Sequence, residues 1–90
     1  MNTYIVTFEV NDLTRLNKIK KYIREKSNGI CPIHSNATAI RSEKKASEIR
    51  DEIIQMTTAE DRIFVIRSGT EAAWKNSYGK ENNEWLKKHL

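Results

Sequence analysis

The order in which two hydrophobic periods succeed one another along this chain leaves few folds open. Residues 3–10, Thr-Tyr-Ile-Val-Thr-Phe-Glu-Val, are β-branched and aromatic, with Tyr4, Val6, Phe8 and Val10 on one face and Ile5, Thr7 and Glu9 on the other, which predicts a strand. Asn11-Asp12 offers a cap, after which Leu13, Leu16, Ile19 and Ile23 recur at helical spacing as far as Ser27-Asn28-Gly29, where Asn-Gly predicts a left-handed stop. A helix is expected over 12–27. Residues 30–35 and 37–41 read as two short strands joined near Ser35-Asn36, the first pushed to a sheet edge by Pro32, which has no N–H to donate. Ser42 is the expected cap of a second helix with Ala46, Ile49, Ile53 and Met56 as its buried stripe, ending near Thr57-Thr58, and residues 62–67 read as the last strand.

Strand, helix, strand, strand, helix, strand is the split β-α-β pattern. It predicts an α+β, ferredoxin-like βαββαβ domain over residues 1–68, a four-stranded antiparallel sheet with two helices on one face. Residues 68–80 are polar and irregular, and 81–90 predict a short tail helix carrying Trp85, Leu86 and Leu90. The tail, 69–90, is expected to pack on the core or across a dimer.

Ninety residues hold one core and no more. With 38% apolar and 31% charged residues, disorder is disfavoured, and Ile63-Phe64-Val65-Ile66, the longest unbroken run of large apolar residues, is far shorter than a membrane span. Met1-Asn2-Thr3 followed at once by alternation has no signal-peptide shape, so a cytoplasmic protein is expected. One cysteine, Cys31, and two histidines, His34 and His89, make neither an intramolecular disulfide nor a zinc motif. Gly29, Gly69 and Gly79 are too scattered for a phosphate-cradling loop. No cofactor is implied by any of these.

The sheet pattern points to partners. Ile5 lies opposite the Tyr4/Val6/Phe8 face, and in the last strand Ile63 and Val65 alternate with Phe64 and Ile66, so both faces want cover. A homodimer joined through sheet faces or edges supplies it, with Trp74, Trp85 and Leu90 helping to close them; the alternative is a tail folded back over its own sheet.

Charge is concentrated as well. The first helix holds Arg15, Lys18, Lys20, Lys21, Arg24 and Lys26 against Glu25 alone, while the remaining residues sum to −1 of the chain's +4. Such asymmetry fits a polyanion, DNA or RNA, with Lys18, Lys21 and Arg24, and Arg15 beside them, as the phosphate-facing set; Lys20 and Lys26 flank the apolar stripe and lay their stems along it. A plain solubilising face is the competing reading, and with it a protein-interaction module or inhibitor working through the dimer surface and the Trp74/Trp85 tail.

Glu9, at the end of the first strand, is the candidate acid for a metal-dependent nuclease, where it would hold Mg2+. Asp12 reads as the helix cap. Ser35 and His34 are neighbours on an extended strand and point to opposite faces, which disfavours a nucleophile-base pair. Cys31 reads as a buried small apolar residue.

Together, residues 4–10 (Tyr-Ile-Val-Thr-Phe-Glu-Val), 42–52 (Ser-Glu-Lys-Lys-Ala-Ser-Glu-Ile-Arg-Asp-Glu), 61–66 (Asp-Arg-Ile-Phe-Val-Ile), 68–74 (Ser-Gly-Thr-Glu-Ala-Ala-Trp) and the terminal Trp85-Leu-Lys-Lys resemble the small ferredoxin-like CRISPR-associated adaptation protein, the non-integrase subunit of spacer acquisition, and its stand-alone relatives including VapD-type toxins. The resemblance implies a homodimer and either metal-dependent cleavage of RNA or DNA by an Asp ending the first strand, or duplex-DNA binding without cleavage. Glu9 stands at that Asp position, and Thr38 where such relatives often carry a Trp. The leading expectation is a dimeric, non-catalytic nucleic-acid-binding module, with the Glu9 nuclease and the protein-interaction module as alternatives.

Overall fold

The computed structural model describes residues 1–90, with β1 (Asn2–Glu9), α1 (Leu13–Lys26), β2 (Gly29–His34), β3 (Ala37–Ser42), α2 (Ala46–Ile54), β4 (Arg62–Arg67) and α3 (Gly79–His89) in chain order. The strands form one sheet in the order β2-β3-β1-β4, every neighbour antiparallel, which is the ferredoxin-like βαββαβ topology. No helix is long and apolar enough to cross a membrane.

Alternation along β1 assigns the two faces. Tyr4, Val6 and Phe8 meet Ile19 and Ile23 of α1, Ile40 of β3, and Ile49 and Ile53 of α2 in the main core. Ile5 turns the other way, towards a smaller cluster in which Leu86 of α3 covers Cys31 and Ala39. The tail helix thus closes the β2–β3 half of the second face from within the same chain. Its cover stops short of β4, where Phe64 and Ile66 are 59% and 51% exposed.

Helix ends differ from the sequence expectation, and α2 closes at Ile54 rather than near Thr57-Thr58. No left-handed residue ends α1: Ser27 is extended (φ −89°), Asn28 donates to the Arg41 carbonyl at 2.9 Å, and Gly29 pairs with Arg41, so sheet pairing captures the chain as it leaves the helix. Ser42 does not cap α2, because it stays in β3 opposite Asn2 and its Oγ accepts from the Lys44 N–H at 3.1 Å. The helix starts later, where the Glu48 carboxylate reaches back to the Lys45 N–H at 3.0 Å.

Two ionic links tie the helix layer together. Arg15 of α1 donates through Nε and Nη2 to both carboxylate oxygens of Asp61 (3.0 and 3.1 Å), and Asp61 also accepts the Thr58 N–H at 2.9 Å. Glu52 of α2 accepts from Lys44 Nζ (2.7 and 2.8 Å) and from the Tyr22 hydroxyl. Hydrogen bonds from Arg15, then from Thr58, hold the Asp61 pKa below its ordinary value, and those from Lys44, then Tyr22, do the same for Glu52. Burial, with the bond to Glu52, pushes the Tyr22 pKa well up. Both carboxyl groups bind their proton more weakly folded than unfolded. Their contribution is therefore present above the unfolded values near pH 4 and is lost as pH falls through the lower folded ones. Urea midpoints followed downward from pH 6 are expected to fall in that acid range, and Asp61→Asn is expected to flatten the fall.

Candidate nucleic-acid interface

Helix α1 lies over the sheet with three differently employed flanks. On the side towards α2 and β4, Arg15 is bound to Asp61 and Asp12, and Tyr22 to Glu52, so Arg15 is committed to the fold and does not stand with the outward set. On the solvent side, Lys18, Lys21 and Arg24 are all exposed. Their single acidic neighbour, Glu25, approaches Lys21 at 3.9 Å with both side chains more than half exposed, a pair of little energetic weight. On the third side, towards the β2–β3 hairpin, the half-buried Lys20 and the inner edge of Arg24 border a cleft with Ile23, Ile30, Pro32 and His34. Lys20 lies along apolar surface, as its flanking position on the stripe implies.

Sequence reasoning did not bring Lys20 and His34 into the site. The i, i+4 spacing of Lys20 and Arg24 signals a shared flank, but which element that flank meets depends on the crossing of α1 over the sheet.

Glu9 faces away from α1 and α2. It stands opposite Arg62 in the β1–β4 register, and the two side chains form an ion pair with both partners more than two-thirds exposed. An open concavity of about 770 Å³ beside it also borders His34, Arg50, Asp61 and Phe64. Its acids are already engaged, Asp61 by Arg15 and Glu9 by Arg62, and no group of three or more His, Cys, Asp or Glu side chains anywhere in the chain could hold a metal ion. Within one chain these residues do not fit a Mg2+ site. Because the Glu9–Arg62 pair is so exposed, Glu9→Gln is expected to change the free energy of unfolding by less than about 1 kcal/mol in a urea titration. Metal-dependent cleavage abolished by that variant would give Glu9 the catalytic role instead.

The tail residues divide. Trp85 and Leu90 pack around Leu86 on this chain's own sheet, with the Trp85 ring 4.7 Å from that of His89. Trp74 is 36% exposed and donates its Nε1–H to Asn83 of α3 at 2.9 Å.

No protein-family model matches the chain, and no curated protein does. Among solved structures, the crystal structure of a hypothetical protein, TT1823 from Thermus thermophilus, superposes with a TM-score of 0.66 over 83% of this chain and 90% of that one, at 12% sequence identity. That likeness shows the fold. How a fold of this topology meets nucleic acid still depends on its surface. One common RNA-binding design stacks bases on aromatic side chains of the central strands. Here the corresponding face presents Thr3, Ile5 and Thr7 from β1 with Ala37, Ala39 and Arg41 from β3, and α3 lies over part of it. The stacking platform is absent, and the basic surface is on the opposite side of the sheet.

Proposed function

We propose that this protein is a small nucleic-acid-binding module, non-catalytic on its own and working as a homodimer, that meets phosphates with the outward face of α1. The observation that carries the reading is the split of α1's cations. Arg15 is consumed by an internal ion pair, whereas Lys18, Lys21 and Arg24 stay exposed on one face with only Glu25 to offset them. Solvated cations held on a rigid helix release counterions when phosphates replace them, which makes binding steeply salt-dependent and largely independent of sequence. Of the two activities that the resemblance to the CRISPR-associated adaptation protein and VapD-type relatives implies, this reading takes nucleic-acid binding without cleavage.

The test is fluorescence anisotropy of labelled DNA and RNA between 50 and 200 mM salt, comparing the wild-type protein with Lys18→Glu/Lys21→Glu. For every phosphate that the variant no longer neutralises, the slope of log K against log salt is expected to become shallower by about 0.9 on duplex DNA and about 0.7 on single strands. Affinity and slope unchanged by the double reversal would reduce the basic face to solubilising surface and turn attention to a protein partner.

A further inference from the structure

The third flank of α1 borders a cleft that the phosphate-binding reading leaves unused. Its walls are Phe8 of β1, Ile23 of α1, and Ile30 and Pro32 of β2, with Phe8 and Ile23 almost wholly buried behind it. At about 220 Å³ it falls below the roughly 300–1,000 Å³ of pockets that enclose whole drug-sized ligands, and its mouth is open. It suits one flat ring system whose remaining groups stay at the rim.

The rim is cationic, with Lys20 and Arg24 one helical turn apart on α1, and His34 across from them at the end of β2. No carboxylate lines the cleft, in contrast to the concavity beside Glu9, where Glu9 and Asp61 both do. His34 Nδ1 accepts the Asn36 N–H at 3.2 Å, so the neutral ring carries its own proton on Nε2 and presents a donor. An apolar slot, two cations and a donor, with no acid nearby, match a planar heterocycle attached to a phosphate. The same helix continues outward to the exposed Lys21 and Lys18.

We infer that the cleft between α1 and the β2–β3 hairpin seats a single unstacked nucleotide, its base against Ile30 and Pro32 over the buried floor of Phe8 and Ile23 and its phosphate on Lys20 and Arg24. This rests on the reading of α1 as a phosphate-binding helix and adds to it a preference. A paired base must leave its stack to enter, which costs free energy that a single strand does not pay. Single strands are therefore favoured over duplexes, and a free nucleoside monophosphate shares the chemistry.

Three probes separate the cases for the wild-type protein at fixed salt: a short single strand, an abasic strand of the same length and phosphate count, and a nucleoside 5′-monophosphate followed by amide chemical shifts in NMR. The single strand is expected to bind about tenfold tighter than the abasic strand, the size of one base stacked on protein side chains, with shifts at Phe8, Ile30 and Thr38. His34→Ala and Lys20→Ala are expected to shrink that ratio while the abasic strand still binds. A monophosphate that shifts the same amides and binds as tightly as the strand would assign the cleft to free nucleotides. Equal binding of normal and abasic strands, without those shifts, overturns the cleft and leaves the phosphate-binding helix standing. If no strand binds, the helix reading fails, and the monophosphate decides the cleft alone: shifts at Ile30 and Thr38 uphold it, and none overturns it.

Discussion

Leu86→Asp is expected to raise the labelling rate of the Cys31 thiol by about a hundredfold while the rest of the domain stays folded. Leu86 is the one fully buried residue of α3, and with Ala39 it closes over a cysteine that is itself wholly inaccessible. The thiol lies 3.7 Å from the Asn82 carbonyl of α3, and burial pushes its pKa up, so in the closed state it is both shielded and protonated. Removing a fully buried leucine forfeits about 1.5–3 kcal/mol of transfer free energy, and a carboxylate put in its place costs more. At 1.4 kcal/mol per factor of ten, a loss near 3 kcal/mol moves an opening equilibrium about a hundredfold. An eleven-residue helix does not persist alone in water, so α3 unravels as it detaches. The main core survives because it lies across the sheet and contains no α3 residue. Labelling with a maleimide, alongside a urea transition that stays cooperative, is the measurement. Labelling as slow as in the wild type would show that something other than α3 protects Cys31.

The same docking responds to acid. His89 Nδ1 lies 2.9 Å from Arg41 Nη1, where the neutral ring accepts from the guanidinium, and burial, then Arg41 and Lys88, lower the His89 pKa. A histidine whose folded pKa is lowered stabilises the docked helix above its unfolded value near 6.5, and that stabilisation is lost as pH falls through the folded one. Trp85, whose ring lies tilted against that of His89, reports the loosening through its fluorescence.

These contacts show where the sequence was legible. β1 and β4 lie within a residue of the expected bounds, because both runs are β-branched and aromatic and too short for a helix. Both faces of β1 and β4 read apolar; α1 and α2 cover one, and on the other α3 packs near Ile5 and leaves Phe64 and Ile66 exposed. What the sequence left open was which of two long-range partners a charged residue takes. Arg15 looks like one more cation of a basic helix until Asp61, 46 residues later, is brought to it by the β4 crossover. Ser42 reads as a cap by local chemistry, but pairing with Asn2 holds it in the sheet. The cleft beside Lys20 is a further case, since it exists only through the distance between α1 and the β2–β3 hairpin.

Phe64→Glu/Ile66→Glu is expected to convert a dimer, of about twice 10.5 kDa by light scattering, into a 10.5 kDa monomer with unchanged helix content. In the isolated chain both side chains are more than half exposed, while their neighbours Ile63 and Val65 turn towards the helices, so the substitutions disturb little of the monomer's own packing. A two-fold contact counts each change twice, and burying Phe64 and Ile66 from both copies involves four side chains at about 1.5–3 kcal/mol for each one fully covered. Side-chain direction argues for faces meeting rather than edges, since Phe64 and Ile66 both point away from the helices and are more than half exposed. In face packing, the Glu9–Arg62 pair already neutralises the rim of the apolar patch at the end of β1. In the proposed dimer this face would gain its cover without using α1, whose cations lie on the far side of the sheet. A wild-type protein that runs at 10.5 kDa at tens of micromolar, with a melting temperature independent of concentration, would sink the dimer and leave Phe64 and Ile66 for another partner.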